Sequence, residues 1–535
     1  MHMNSMSFEV RDRDVIGRIG KLTTKNGTIT TPALMPVVNP VNQSIPPMRM
    51  KNEFGCEVLI TNSYIIKKNF GDNPDINVHD LIDYDGVITT DSGAYQILVY
   101  GGVDTNPKEI IHFQQSIGSD IAVILDIPTG WDVPRSKVEY SVEETLRRAR
   151  ISLPLIEGDD TLWIGPVQGG THLDLVKKSA KEIGDMPFQI HALGSPTEVM
   201  ESYRYSVLAD MIMAAKINLP PERPFHLFGA GHPMMFSFAV ALGCDLFDSA
   251  AYVLFANDER YMTLRGTRHL KNLNYLPCSC PVCRKNDVSD IKNMLKGERV
   301  RLLAEHNLHV SMSEVQTIRQ AISEGTLWEL METRSRGHPA LTSALHHLGK
   351  YRDDLEKGSP MYKGRGIFIF DKASLVRPEI TRHIKKLEKN TSRYSDTILL
   401  LPEPSRKPFN QSNEFTEITK KFKEASIENI QICFYTPPFG IILVELSETY
   451  PLSQFNIVEP VDHGILEFTV ENVEKYLSKM NYKRIILLVG INEIGERVKE
   501  KLEKMYIHNE SILKVIQEEN PWSPQVISQL LTVLK

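Results

Sequence analysis

The amino-acid sequence predicts an α/β protein, in which a (β/α)8 TIM barrel carries an insertion and is followed by a smaller C-terminal α/β domain. Three observations lead to this prediction. Over the first 250 residues, short apolar runs alternate with longer amphipathic stretches. This alternation breaks near residue 258, where a basic, cysteine-rich stretch begins. New apolar runs start near residue 365, after a polar segment.

Eight apolar runs in the first part of the chain are predicted to be strands. Runs as continuous as DIAVILDIP are typical of parallel strands that helices bury on both faces. Eight such βα units close into a barrel. The alternative is an open doubly wound sheet, but no G-x-G-x-x-G turn follows the first strands. The runs lie near residues 30–38, 57–62, 86–90, 120–126, 161–168, 187–193, 224–229 and 244–248.

Length and composition exclude several classes of protein. A chain of 535 residues is long enough for two to four domains. Its 41% hydrophobic and 24% charged residues are close to globular averages, unlike those of disordered or membrane proteins. The sequence shows neither a bilayer-spanning apolar run nor a signal-peptide core, so we expect a cytoplasmic protein with no membrane partner. With a net charge of −6, any nucleic acid must bind at a local basic patch.

Polar residues or glycines close the predicted barrel strands. TIM barrels gather their chemistry at the C-terminal ends of the strands, so these residues form a candidate active site. Turn residues end ordinary strands too. Three aspartates and a glutamine directly after apolar runs nevertheless favour a function, because a carboxylate there is partly desolvated. The strand-closing residues are Asn62, Asp91 to Gly93, Asp126, Gln168 to Gly170, Gly194 and Ser195, Gly229 to His232, and Asp248 and Ser249.

The insertion contains a predicted metal site. Cys278, Cys280 and Cys283 place three thiols within six residues. A histidine would complete a set of four soft ligands that suits tetrahedral zinc. His306 lies in a segment with helical character, and His309 and His269 are competing ligands. Because protein groups would fill all four positions, we expect one structural zinc per chain.

These features define the predicted domain organisation. Residues 1–360 are expected to form the barrel domain, with the zinc-binding segment at about 258–310. Residues 361–535 are expected to form a C-terminal α/β region of one or two small subdomains. One set of basic residues that could contact phosphates precedes the cysteines. A second set follows later in the chain, and a solvated helix face explains that set equally well. The first set is Arg260, Arg265, Arg268, His269 and Lys271, and the second is Arg334, Arg336, Lys385 and Lys386.

Six motifs occur together in the first 350 residues: DSGAYQ (91–96), VQGG (167–170), HALGS (191–195), FGAGHP (228–233), GCDLFDSA (243–250) and C-x-C-x2-C with a later HNL. In combination they resemble the tRNA-guanine transglycosylases. The later segments LLLPEPSRKPF and PPFGIILVELSETYP resemble the C-terminal region of the archaeal, archaeosine-forming branch. The length of the chain favours that branch as well.

The resemblance implies a reaction and its catalytic residues. Members of the family exchange a tRNA guanine for a 7-deazaguanine base through a covalent enzyme–tRNA intermediate. By motif, Asp248 corresponds to the nucleophile and Asp91 to the general acid/base. The opposite assignment, with Asp91 as the nucleophile, is the alternative. The archaeal branch further implies tRNA position 15 in the D-arm, 7-cyano-7-deazaguanine as the incoming base, and no nucleotide cofactor.

The resemblance also implies residues that bind the base and the metal. Asp126 would accept hydrogen bonds from the N1–H and 2-amino groups of a guanine-like base. Gln168, Gly194 and Ser195 would bind its opposite edge. The sequence alone favours a barrel core position for Tyr95 and for Phe228, whereas the motif match favours stacking on the base. Tyr95 departs from the phenylalanine usual in the family. His306 is preferred as the fourth zinc ligand on the same pattern.

The partners and alternatives follow from the same resemblance. The family is commonly dimeric, so we expect a homodimer that binds tRNA. Archaeal members commonly end in a PUA module, but the last residues, ENPWSPQVISQLLTVLK, lack its glycine-rich, β-rich pattern. We therefore expect that module to be missing or supplied by a separate PUA-domain protein. Three alternatives remain: a queuosine-type enzyme acting on an anticodon guanine, a noncatalytic tRNA-binding paralogue, and a metal-dependent barrel hydrolase.

Overall fold

The computed structural model describes residues 8–71, 76–94, 106–389, 395–507 and 512–535. The chain forms two compact units that divide between Tyr351 and Arg352. Within the described residues, no helix has both the length and the apolar character needed to cross a membrane.

The first unit begins with an antiparallel sheet that the sequence did not predict. Its strands are β1 (Phe8–Asp14), β2 (Gly17–Thr24) and β3 (Gly27–Thr31), in the order β1-β2-β3. The run predicted at residues 30–38 joins the end of β3 and the first barrel strand. The two are separate because Pro32, which has no N–H to donate, stands between them.

The predicted barrel is confirmed. Eight parallel strands pair in the order β4-β11-β10-β9-β8-β7-β6-β5. The barrel closes where Val38 N donates to Ile60 O over 2.8 Å, next to a bridge between Val37 and Ile60. The strands are β4 (Ala33–Pro36), β5 (Val58–Asn62), β6 (Val87–Asp91), β7 (Ile121–Val123), β8 (Leu162–Val167), β9 (Ile190–Leu193), β10 (Phe225–Leu227) and β11 (Leu246–Ser249).

The antiparallel sheet closes one end of this barrel. Leu22 and Ile29, from β2 and β3, belong to the same buried cluster as the inward-facing barrel residues. A Cβ on Gly27 would lie 3.2 Å from Val87, the first residue of β6. The covered end is therefore the one where the strands begin, and the C-terminal ends of the strands are left for the site.

Helices connect the barrel strands and build the predicted insertion. The hairpin β12 (Arg260–Thr263) and β13 (Gly266–His269) opens the insertion, and a 29-residue helix ends it. That helix stops at Gly325, whose φ of +75° suits a residue without a Cβ. The described helices are α1 (Pro47–Phe54), α2 (Ser63–Phe70), α3 (Val78–Ile82), α4 (Pro107–Ser116), α5 (Arg135–Ile156), α6 (Leu173–Gly184), α7 (Thr197–Glu201), α8 (Tyr205–Lys216), α9 (Phe236–Ala241), α10 (Ala251–Asn257), α11 (Pro281–Lys285), α12 (Val288–Asn293), α13 (Lys296–Glu324), α14 (Leu327–Ser335) and α15 (Pro339–His347).

The second unit is the predicted α/β region. Its main sheet has the order β17-β16-β15-β19-β20, with only β17 antiparallel, and β14 pairs with β18 in a separate parallel pair. Leu399 and Leu401 face one buried core while Ile398 and Leu400 face another, as the period of two in a strand requires. The strands are β14 (Ile367–Ile369), β15 (Thr397–Leu401), β16 (Ile430–Thr436), β17 (Gly440–Leu443), β18 (Phe455–Ile457), β19 (Arg484–Val489) and β20 (Leu513–Gln517). The helices are α16 (Arg352–Gly358), α17 (Pro378–Lys389), α18 (Asn413–Glu424), α19 (His463–Met480), α20 (Glu493–Met505) and α21 (Pro524–Leu534).

Candidate active site

The C-terminal ends of the barrel strands bring the predicted polar residues to one place. Asp91 is the last residue of β6, and Asp248 lies in β11. Gln168 and Gly194 follow β8 and β9 directly. Asp126 lies three residues beyond β7, because this strand ends earlier than predicted. Ile124 N still donates to Ile164 O of β8 over 3.5 Å, but Ile127 N donates to Thr145 Oγ1 of helix α5 over 3.0 Å.

Asp91 is a carboxyl group with a high proton affinity. Its Oδ2 accepts hydrogen bonds from Asn62 Nδ2 over 2.9 Å and from Gly93 N over 3.2 Å. Burial, followed by the negative charges of Asp126 and Asp248, raises the pKa of Asp91 to about 7. A carboxyl group in this state can both donate and accept a proton near neutral pH.

A chain of hydrogen bonds links Asp126, Gln168 and Ser195. Gln168 Nε2 donates to Asp126 Oδ2 over 2.5 Å, and Ser195 Oγ donates to Gln168 Oε1 over 3.0 Å. Burial raises the pKa of Asp126 to about 6, although the bond from Gln168 opposes this shift. A Cβ on Gly194 would lie 2.2 Å from Gln168 Nε2, so the glycine is needed for this amide to fit.

Asp248 is held by His226 in the neighbouring strand β10 and by Gly229 in the turn that follows this strand. His226 Nε2 lies 2.8 Å from Asp248 Oδ1, and Gly229 N donates to the same oxygen over 2.9 Å. The side chain of Asp248 is 17% exposed, whereas that of His226 is completely buried. Phe228 meets the His226 ring edge to face, with the ring centroids 4.6 Å apart. One oxygen of Asp248 is thus fixed in a partly accessible carboxylate.

The structure therefore brings together the predicted residues Asp91, Asp126 and Asp248 at the barrel mouth, with Gln168, Gly194, Ser195 and Phe228 around them. Tyr95 lies outside the described residues. His226 was not predicted as a site residue, because it looks like a core residue inside the run PFHLFG. A signal was present, because His226 is two residues before Phe228 and residues at this spacing share one face of a strand.

The predicted metal ligands also come together. The ligand atoms of Cys278, Cys280, Cys283 and His306 all lie within 4.8 Å of one another. His306 Nδ1 is 3.4 Å from the Sγ atoms of both Cys280 and Cys283. Tetrahedral zinc with bonds of about 2.0 to 2.3 Å would place its ligand atoms about 3.5 to 3.8 Å apart. This group can hold a metal ion, and its donor atoms fit zinc.

Contacts around His306 favour Nδ1 as its metal-binding atom. His306 Nε2 lies 2.9 Å from Met262 O, and Tyr261 stacks on the ring at 3.7 Å. A hydrogen bond from Nε2 to the carbonyl would leave Nδ1 deprotonated and free to bind metal. His309 instead packs on Phe54, with the ring centroids 4.2 Å apart. His269 ends strand β13 and is not part of the four-residue group.

The basic residues differ in their surroundings. Arg265, Arg268 and Lys271 are exposed on or next to the β12–β13 hairpin. Arg260 is half-buried, and its Nε lies 2.5 Å from Asp258. In the second predicted set, Arg334 forms two bonds to the buried Glu314, and Lys385 pairs with Asp353 and Glu356. Arg336 and Lys386 of the second set are exposed. The hairpin set has three exposed basic residues within one short segment, which makes it the better candidate for phosphate contacts.

Comparison with known proteins identifies the two parts of the chain. Residues 13–340 match a family described as queuine tRNA-ribosyltransferase. Residues 380–534 match a domain family of unknown function.

Three relatives span the chain, and each is named tRNA-guanine(15) transglycosylase. The one from Methanocaldococcus jannaschii is 44% identical over 86% of this chain and 70% of the relative. The one from Thermococcus onnurineus is 45% identical over 94% of this chain and 79% of the relative. The one from Sulfolobus acidocaldarius is 38% identical over 90% of this chain and 95% of the relative.

Proposed function

Because the chain belongs to the queuine tRNA-ribosyltransferase family, we propose that it exchanges the guanine at position 15 of tRNA for 7-cyano-7-deazaguanine, a step of archaeosine formation. One observation carries the mechanism: burial, followed by the negative charges of Asp126 and Asp248, raises the pKa of Asp91 to about 7. The reaction needs one carboxylate that attacks and one carboxyl group that moves protons, and carboxylates in different surroundings can divide these tasks.

Asp248 acts as the nucleophile in the first step. An oxygen of its ionised carboxylate bonds to C1′ of the ribose, and the C1′–N9 bond breaks with its electron pair going to guanine. The protonated carboxyl group of Asp91 gives its proton to the departing base. The products are free guanine, an ionised Asp91 and tRNA joined to Asp248 through C1′.

The second step reverses the first with the new base. Ionised Asp91 takes the N9 proton of 7-cyano-7-deazaguanine, N9 bonds to C1′, and the bond between C1′ and Asp248 breaks. Both carboxyl groups return to their starting states. The covalent intermediate retains the energy of the glycosidic bond, so this exchange requires no nucleotide cofactor.

The hydrogen-bonded chain next to the carboxylates supplies base recognition. Asp126 accepts from the N1–H and 2-amino groups of the base, which suits a carboxyl group whose pKa of about 6 leaves it mostly ionised at neutral pH. Gln168 and Ser195 bind the opposite edge, held in place by their own hydrogen bonds. Phe228, beside His226, stacks on the base.

The metal site has a structural role in this proposal. Cys278, Cys280, Cys283 and His306 would hold zinc, and they fill all four positions of a tetrahedral ion. When bound, the zinc would tie the loop that follows the β12–β13 hairpin to helix α13. It would thereby keep the exposed basic residues of the hairpin in place for tRNA phosphates.

Base exchange on full-length protein tests the proposal. Protein is incubated with tRNA carrying labelled guanine at position 15 and with unlabelled 7-cyano-7-deazaguanine, using wild type, Asp248→Ala, Asp91→Ala and the exposed control Asp132→Asn. We expect wild type and the control to release label and both alanine variants to release none. Wild type without the incoming base should also form a covalent tRNA adduct on a denaturing gel, and Asp248→Ala should not.

Two results would contradict the proposal. No release from tRNA labelled at position 15, together with release from tRNA labelled at an anticodon guanine, would support the queuosine-type alternative. Binding of tRNA without release from any position, by protein of confirmed metal content, would support the noncatalytic paralogue.

A further inference from the structure

His226 is a buried polar residue that the proposed mechanism does not use. It is the middle residue of β10, completely enclosed in the barrel beside β11. From its geometry we infer that His226 is the positioning residue for the nucleophile, holding Asp248 Oδ1 so that Oδ2 is the oxygen that attacks C1′. The inference rests on the proposed function, since it assigns a task within that reaction.

Two donors converge on one oxygen of Asp248. His226 Nε2 and Gly229 N lie 2.8 and 2.9 Å from Oδ1. Oδ2 accepts no hydrogen bond from the residues that the structure describes. The lone pairs of Oδ1 are thus directed at donors, while those of Oδ2 remain available to form a bond. Fixing the carboxylate in this way avoids the loss of rate that a misplaced nucleophile causes.

The other ring nitrogen indicates where the proton of His226 resides. Nδ1 is buried and has no hydrogen-bond partner among the described residues. A proton on Nδ1 would have no acceptor among these residues, and it would leave the lone pair of Nε2 facing the carboxylate oxygen of Asp248. A proton on Nε2 instead donates to Asp248, and the ring is then neutral. A neutral donor orients the carboxylate without neutralising the charge that makes it a nucleophile.

The surroundings keep the imidazole in this orientation. The Phe228 ring meets it edge to face at an interplanar angle of 85°. On the neighbouring strands, His226 lies in register with Leu246 and Ala192, which are both apolar. Among the contacts of its ring, Asp248 is the hydrogen-bond acceptor, so orienting this carboxylate is the polar interaction that His226 provides.

The test compares variants that keep or remove the donor. His226→Leu keeps a buried side chain without a donor, and His226→Gln can place an amide N–H near the position of Nε2. His191→Leu is the matched control, because His191 is also a buried barrel histidine but lies near Arg223, away from the carboxylates. Steady-state base exchange, formation of the covalent adduct in a single turnover, and thermal unfolding are measured for each.

We expect His226→Leu to lower kcat and adduct formation about 100-fold, the cost of a displaced reacting group. The KM values for tRNA and for the base should change less than about threefold, because neither binds His226. His226→Gln should recover to within about tenfold of wild type, and the control should remain within about threefold. A His226→Leu variant with wild-type kcat, or a glutamine variant no faster than the leucine variant, would overturn the inference.

Two further variants, His226→Asn and Asp248→Ala, complete the test. If His226→Leu does not fold, His226→Asn replaces it, because its shorter amide cannot reach Asp248. Asparagine as active as glutamine would then overturn the inference. Asp248→Ala separates the inference from the proposed function. An inactive Asp248→Ala with a fully active His226→Leu refutes only the role of His226, whereas exchange by Asp248→Ala refutes the proposed reaction and this inference together.

Discussion

Replacing Asp91 by asparagine should stabilise the barrel unit above neutral pH, although the same change should abolish catalysis. The pKa of this carboxyl group is about 7 in the folded protein, against an ordinary value of 3.8. Folding therefore disfavours the ionised form. As the pH rises from about 4 to 7, the unfolded chain loses this proton first, and the folded state loses stability. Above pH 7 the loss is complete and constant.

The size of this loss of stability follows from the difference between the pKa values of Asp91 in the folded and the unfolded state. The two pKa values, 3.8 and about 7, differ about 1,000-fold in proton affinity, which corresponds to about 4 kcal/mol once both states are ionised. At pH 5 the unfolded state is already ionised, so less than half of this loss is present. Between pH 5 and pH 8 the wild type should therefore lose about 3 kcal/mol more than Asp91→Asn. The asparagine can still accept the hydrogen bonds from Asn62 and Gly93 through its amide oxygen.

Urea unfolding at several pH values measures this difference. Trp163 and Trp328 are fully buried in the first unit, so their fluorescence follows the barrel. Asp132→Asn is the control for removing an exposed carboxylate on a loop beyond β7, and its free energy of unfolding should stay within about 0.5 kcal/mol of wild type. Parallel curves for wild type and Asp91→Asn from pH 5 to pH 8 would refute the assignment of a raised pKa to Asp91.

Three other changes have defined outcomes. In Gly194→Ala the new Cβ would lie 2.2 Å from Gln168 Nε2, so the KM for the incoming base should rise at least about tenfold while the KM for tRNA stays unchanged. A KM for the incoming base equal to that of wild type would contradict this. Cys280→Ser should reduce bound zinc to well below one per chain by elemental analysis and lower the Tm, whereas an unchanged Tm would argue against a structural metal. Asp245→Asn leaves the buried Arg18 without its ion pair and should destabilise the barrel by about 3 to 5 kcal/mol in urea unfolding, opposite in sign to Asp91→Asn. A stabilised variant would show that this pair is dispensable.

The barrel was predictable because its strands are buried on both faces. Such strands need continuous apolar runs, and all eight runs are strands in the structure. The antiparallel sheet at the start of the chain was not predictable in the same way. Strand β1, with the sequence FEVRDRD, is largely exposed, so it lacks the apolar run that revealed the barrel strands.

Some features of the site could likewise be predicted from short segments of sequence, and others could not. Local sequence was enough to predict polar residues at the strand ends and three cysteines that could hold a metal, because strand ends and ligand spacing are properties of short segments. The ligand spacing left His306 and His309 open, and the family resemblance favoured His306. The tertiary structure supplies the physical reason, since helix α13 turns the His306 ring toward the cysteines and the His309 ring toward Phe54.

The sequence by itself thus determined the barrel, its C-terminal α/β region and the kinds of side chain at the barrel mouth. Only the tertiary structure decided the chemical state of those side chains. The pKa of Asp91 depends on its burial and its distance from Asp248, 157 positions along the chain, and the orientation of Asp248 depends on His226 in the next strand. The order of apolar and polar residues within a short segment determines which of them are buried. Electrostatic interactions and hydrogen bonds between segments depend on distances that exist only after the strands have closed into a barrel.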